Sequence, residues 1–352
     1  MSRLFINGIS SVSPQSEDIF ANEIPQTYSE NILPSLDVDY KSLIKPMMLR
    51  RMSKAVKMGL YCSKKALKQA GVDDPDAILV GTGQGCMQDT EKFMTNMLES
   101  EEGLLSPTSF IQSTHNTVAG QIALDLKCNG HNMTFTQNSA SFESALLDAI
   151  LISEMGEIRN ILVGGVDETS TQFTGFQRLD GQIKEKNINN FDLFSTISPG
   201  TIISESAAFF SLSSEINENT YAEFKDVQII NSVDSTELNS KIEEFLSRND
   251  TDLSEIDAVI LGKNGDHRFD HFYEDLQQGM FLEKCQLGFK HLVGDNNSIS
   301  SYAFWLASRI LKEKKLPEIF KLNTLNCKVP RKVLIYNQYL GRNHGLILLQ
   351  SH

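Results

Sequence analysis

The stretch that most limits what this chain can fold into is Asn132-Met-Thr-Phe-Thr-Gln-Asn-Ser-Ala-Ser-Phe-Glu-Ser-Ala-Leu-Leu-Asp-Ala-Ile150. Met133, Phe135 and Thr136 suit a strand. Gln137 to Ser141 breaks that pattern, and from Phe142 the apolar residues fall at 142, 145, 146, 149 and 150, which is helical spacing. Ser139 or Ser141, with Glu143 just beyond, supplies N-cap chemistry. The predicted unit is therefore strand, tight turn, helix. Ser139 sits at the handover, where backbone N–H groups and the positive end of a helix dipole converge. That geometry suits a nucleophile.

The same alternation runs through the rest of the chain. Leu4–Ile6 reads as a short first strand, and residues 13–48 as a long surface connection. Arg51–Ala70 is a periodic helix ended by Gly71; Asp76–Thr82 is a buried strand running into Gly81-Thr-Gly-Gln-Gly85. Helices follow at Asp89–Ser100 and Val118–Leu126, then the central unit, then the apolar strand Ile161–Val166. Residues 180–198 read as a mobile loop and Ser206–Leu212 as a strand closing the first half. After a polar stretch at 213–222 the theme repeats. Strands are predicted at Ala222–Ile230 and Ala258–Leu261, helices near 236–247, 270–280 and 301–312, and a final hairpin from Lys332–Tyr336 and Gly345–Leu349. Such alternation in both halves predicts an α/β architecture with a duplicated βαβ unit, divided as 1–212, 213–222 and 223–352.

Composition narrows the partners. The chain has 352 residues, 40% of them hydrophobic, with a formal net charge of −13. Nucleic acid and anionic membrane surfaces are poor partners for that charge, and an acidic carrier protein would need a local basic patch. Five cysteines, Cys62, Cys86, Cys128, Cys285 and Cys327, are odd in number and widely spaced. That argues against a disulfide framework or zinc site and for a reducing cytoplasm. No signal peptide is expected at Met1–Gly8, and no run of about 18 apolar residues predicts a membrane span.

Several further motifs now line up with a known family. Arg51-Met-Ser-Lys54, Asn116-Thr-Val-Ala-Gly-Gln-Ile-Ala123, Gln137-Asn-Ser-Ala-Ser-Phe-Glu143, Val163-Gly-Gly-Val-Asp-Glu168, Ser198-Pro-Gly200, Ile203-Ser-Glu-Ser-Ala207 and Lys290-His-Leu-Val-Gly294 occur in one order along the chain. Together they make the sequence resemble the β-ketoacyl-acyl-carrier-protein synthases. The resemblance implies a thiolase-like fold whose duplicated βαβ halves form five layers, α-β-α-β-α. It implies neither cofactor nor metal.

In that family a cysteine at the elbow attacks an acyl thioester and two histidines assist decarboxylation and hold the enolate oxygen. Here the cysteine position falls on Ser139. The first histidine should follow Ala258–Leu261, where Gly262-Lys263-Asn264 stands; the second should follow Gly294, where Asp295 stands. The lysine before the second histidine is kept as Lys290, which could pair with Asp295, and the C-terminal glycine-rich loop is altered to Tyr339-Leu340-Gly341-Arg342-Asn343. The resemblance therefore implies a scaffold without its triad, like the chain-length factors of type II polyketide and aryl polyene systems. Such a subunit pairs with an active ketosynthase, here through the strand near His131–Gln137, or with itself. Acyl carrier protein is then reached through the partner. His115, Asn116, Ser139, Phe142 and Leu340 are the implied tunnel or substrate positions.

Other readings stay open. Ser139 or Ser141 could serve an atypical acyltransferase, β-ketoacyl synthase or hydrolase, although no base is placed for them. A homodimeric acyl-binding protein is a third reading. His267, His271 and Glu274 could share a helix face around a metal, against the plainer reading of a solvated helix start. Gly81–Gly85 could be a nucleotide loop or a structural turn; Cys86 could be a displaced nucleophile or a buried thiol. His115 reads as a structural histidine unless it lines a tunnel.

Overall fold

The computed structural model describes residues 3–100, 103, 105, 107–156, 159–325 and 329–352. The first half contains β1 (Leu4–Val12), α1 (Lys54–Ala70), β2 (Ala77–Gly81), α2 (Met87–Glu99), α3 (Thr117–Leu126), β3 (His131–Phe135), α4 (Ser141–Glu154), β4 (Asn160–Asp167), α5 (Thr171–Leu179) and β5 (Ser206–Ser213). The second contains β6 (Ala222–Ile230), α6 (Ser235–Arg248), β7 (Ala258–Leu261), α7 (His271–Gln278), β8 (Cys285–Gly288), α8 (Ser300–Glu313), β9 (Lys332–Tyr339) and β10 (Asn343–Gln350).

The ten strands follow the order β8-β7-β9-β10-β6-β1-β5-β4-β2-β3. Read outward from the middle, the halves match: β1-β5-β4-β2-β3 against β6-β10-β9-β7-β8. Their senses match too. β2 runs parallel to β3 and β4 as β7 does to β8 and β9, and the remaining neighbours are antiparallel. Three residue pairs, Leu4–Phe224, Phe5–Glu223 and Ile6–Ala222, join the two five-stranded leaves. The expected duplication is present.

The layers follow from which face each strand residue presents. In β2, Leu79 points to a central core shared with Phe142 and Leu146 of α4 and with Phe304 and Leu306 of α8. Its neighbours Ile78 and Val80 point the other way, to Val56 and Leu60 of α1 and Ile122 of α3. In the second leaf, Ile260 faces the central helices, while Val259 and Leu261 face Ile242 of α6 and Leu276 of α7. Two leaves with helices between them and outside them make five layers.

Some expectations change. β1 reaches Val12 rather than Ile6: Asn7-Gly8 is a bulge inside the strand, not its end. Glycine is required there because a Cβ at residue 8 would lie 2.0 Å from the Ala66 carbonyl oxygen of α1. The segment 180–198, read as mobile, is pinned. Lys184 is buried, and its Nζ donates to the carbonyl oxygens of Thr196, Ser198 and Gly265 and to Ser198 Oγ. Asn190 Nδ2 donates to His291 O at 2.6 Å in the same region. Cys62, Cys86 and Cys128 are free thiols, but Cys285 on β8 is disulfide-bonded, which corrects the expectation of no disulfide. Separation in sequence says nothing about which residues a fold brings together.

Candidate functional site

β3 ends at Phe135 and the chain turns at Asn138, whose φ is +51°. A single 3₁₀ turn, Asn138–Ala140, leads into α4. The hydroxyls around the turn are engaged in holding it. Ser141 Oγ accepts from Gln137 N at 2.8 Å and donates to Asn138 O at 2.6 Å; Ser144 Oγ donates to Ala140 O at 2.7 Å. Gly81 of β2 lets the elbow sit down on the sheet, since a Cβ there would be 2.6 Å from Phe142 N. Ser139 is 5% exposed at the start of the helix. The expected elbow is thus present, with Ser141 acting as a strut.

The ends of β4, β7, β9 and the 294–297 turn converge on a small cavity of about 50 Å³, room for a few waters. Its wall includes Asn264, Asp295 and Leu340 of the positions singled out in the sequence, and four carboxylates: Asp167, Glu168, Asp266 and Asp295. Ser139, His115, Asn116 and Phe142 are not in that wall.

Each carboxylate is already engaged. Asp167 Oδ1 accepts from Thr82 Oγ1 at 3.0 Å and Gly83 N at 2.8 Å, and its Oδ2 accepts from Ser298 N at 2.8 Å. Burial raises its pKa against the pull of those bonds. Glu168 accepts from Ala55 N and Gln88 N, both at 2.8 Å, so one side chain caps the N-termini of α1 and α2. Burial pushes it up to about 7. Asp266 pairs with Arg268 at 2.5 Å. Asp295 pairs with Lys290 at 2.9 Å and accepts from Asn264 Nδ2 at 3.0 Å. Lys290 also donates to Asn337 Oδ1 at 2.9 Å. Asn264 and Asp295, both singled out in the sequence, therefore bond to each other, and Lys290 closes the set.

The other sequence candidates have definite places. Phe142 is fully buried in the central core, its ring 5.8 Å from that of Phe210 and 5.7 Å from that of Phe304. His115 and Asn116 are exposed. Lys263 turns away to Glu274 at 3.1 Å, and His267 and His271 are exposed. Among the described residues no three His, Cys, Asp or Glu side chains gather as a metal site would need. The Gly81–Gly85 loop has its donors occupied by Asp167. Cys86 is buried, accepts from Ser53 Oγ at 3.3 Å, and has its thiol pushed up to about 12 by burial. His291 is buried against Phe194, and burial brings it down to about 4.

Sequence reasoning met Asp167 and Glu168 only as the end of a family motif, and Glu143 only as part of an N-cap, not as members of a site. Asp167-Glu168 directly follows the apolar run Ile161–Val166 at the end of β4, where carboxylates must find donors. Glu143 lies on the apolar face that defines α4.

Residues 7–215, well over half of the chain, match the family model of the β-ketoacyl synthase N-terminal domain. The chain belongs to the β-ketoacyl synthase family. No curated protein sequence matches it. In fold it is similar to a β-ketoacyl synthase from Burkholderia phymatum STM815, at 16% identity over all of both chains and a TM-score of 0.82. It is similar to a chain of the ketosynthase (ApeO) in complex with its chain length factor (ApeC) from Xenorhabdus doucetiae, at 15% identity over 100% of this chain and 98% of that one, TM-score 0.80. The ishigamide ketosynthase/chain length factor gives 14% identity, 100% and 99% coverage and a TM-score of 0.79.

Proposed function

We infer that the chain is a non-catalytic ketosynthase homologue, resembling a chain-length factor, that dimerises with an active ketosynthase in fatty-acid, aryl polyene or polyketide-type chain elongation. One observation carries this reading: Lys290, Asp295 and Asn264, which lie where the sequence resemblance expects the catalytic histidines, bond to one another at 2.9 and 3.0 Å. A carboxylate beside a lysine is no substitute for a neutral imidazole in stabilising an enolate, and Ser139 has no base supplied from that set.

The surface supports the partner. β3 ends the sheet with its outer side unpaired, and Met133 on it is 44% exposed. Leu147 and Leu151 of the adjoining α4 are 41% and 49% exposed, with Leu124 of α3 and Met155 beyond them. An unpaired edge flanked by apolar side chains is a surface made to be covered. Two solved relatives are described as ketosynthase with chain length factor, which fits such a cover. Carrier protein then docks through the partner. Among the described residues no helix is long and apolar enough to cross a membrane.

Co-expression with a ketosynthase carrying an intact cysteine and both histidines tests the proposal. The expected result is co-purification of a heterodimer that elongates acyl chains, while this chain alone does not. Condensation by this chain alone, abolished by Ser139→Ala, would establish the atypical-enzyme reading instead. A stable homodimer that binds acyl chains and ignores the ketosynthase would establish the third.

A further inference from the structure

A chain of buried polar groups runs from the cavity wall to the first turn of α4. Asp295, in the wall, pairs with Lys290 Nζ at 2.9 Å. Lys290 donates to Asn337 Oδ1 at 2.9 Å, and Asn337 Nδ2 donates to Ser300 Oγ at 3.0 Å. Ser300, at the start of α8, lies beside the Glu143 carboxyl. Every member is buried.

Charge does not balance along this chain. Lys290 and Asp295 compensate each other, and Glu143 is a third ionisable group with no cation of its own. Its Oε2 is buried without a hydrogen-bond partner. Gly345 of β10 presses against the other oxygen, since a Cβ there would lie 2.7 Å from Oε1. Around Glu143, α8 presents the Ser300 hydroxyl, β10 presents the Gly345 backbone, and the charged neighbour is Lys290 from the turn at 290–293. A carboxyl so enclosed is tolerated as the neutral acid and costly as an ion.

We propose that Glu143 is the proton-binding member of a buried switch that loosens the joint between α4 and the C-terminal half when it ionises. As the acid, Glu143 leaves Lys290 to Asp295 and the joint is closed. As the carboxylate, it competes with Asp295 for one lysine, and the first turn of α4 is pushed from Ser300 and Gly345. Because α4 also carries Leu147 and Leu151 on its outer face, the switch reaches the open edge of the sheet. Burial pushes Glu143 up to about 7, with Ser300 and Lys290 pulling the other way, so the transition falls near neutrality. The unfolded chain releases this proton in the ordinary carboxylate range. Glu143's contribution to stability is therefore greatest in acid, falls as pH rises towards 7, and levels above it.

The test compares thermal unfolding of the full chain with that of Glu143→Gln, an isosteric neutral variant, from pH 5 to pH 8.5. The expected result is a gap in favour of the variant that opens with pH and reaches about 4 °C at pH 8.5. A constant gap, or a variant that fails to fold at pH 8.5, overturns the proposal. Hydrogen exchange on the unaltered protein gives an independent reading. Corrected for intrinsic rates, protection of the first α4 amides should fall between pH 6 and 8 relative to α3. Equal change in the two helices overturns it as well.

Discussion

β3 and β8 are counterparts: each is the outermost strand of its leaf, parallel to the strand beside it. β8 is closed off. Leu322 N donates to Gln286 O at 2.8 Å, the Leu322 side chain packs on Gly288, all four residues of the strand are buried, and Cys285 is disulfide-bonded. Among the described residues β3 has no such cover, and His131, Asn132 and Met133 are exposed. Duplication has thus preserved strand order and lost equivalence at the rims. A covered rim is finished within the chain. An uncovered rim beside exposed leucines depends on another molecule, so the N-terminal leaf is the side from which assembly is expected.

Four substitutions sharpen this contrast. The largest effect is expected at the buried ion pair of the C-terminal half. Lys290→Met leaves Asp295 buried without its cation and should cost about 3–5 kcal/mol in denaturant unfolding, most of it recovered in Lys290→Met/Asp295→Asn. If the single variant matches the parent, the pair does not stabilise the fold. Next is the open rim. Met133→Asp should weaken ketosynthase binding by about 3 kcal/mol, on the order of 100-fold, in a titration of the purified subunits. Its own melting should barely move, and unchanged affinity would remove β3 from the interface. At the closed rim the pattern reverses: Leu322→Ala should cost about 1–2 kcal/mol of stability, less than a fully buried leucine, and leave partner affinity unaltered. The smallest effect is expected at the elbow. Ser139→Ala should change elongation by the assembled complex by less than about twofold, and a larger loss would give the serine a chemical role.

Much of this architecture could be read from the chain, because strand and helix periods repeat in both halves and seven short motifs keep their order. β3 was readable as a strand because Met133 and Phe135 pair with a helical pattern just beyond. β8 was not, since Cys-Gln-Leu-Gly is too short and mixed to show a period. The Lys290–Asp295 pair lies five residues apart in sequence, so its contact could be anticipated from the motif. The Lys184 pin could not: its acceptors come from residues 196, 198 and 265, brought together only by folding. Glu143 looks in sequence like an acid placed to suit the positive end of a helix. Only the packing of α8 and β10 over it turns that favourable position into a buried, half-satisfied one.

The Gly81–Gly85 loop also has a consequence for what the cavity can take up. Its Gly83 and Gln84 amides and Thr82 hydroxyl already hold the carboxylate of Asp167. That carboxylate is a tethered ligand, present at an effective concentration on the order of millimolar or more. Any free anion approaching those donors must displace a competitor that never diffuses away, and whose other oxygen is held by Ser298 from the opposite half. The loop behaves as an anion site whose occupant is part of the chain, and that occupant ties the two leaves to each other.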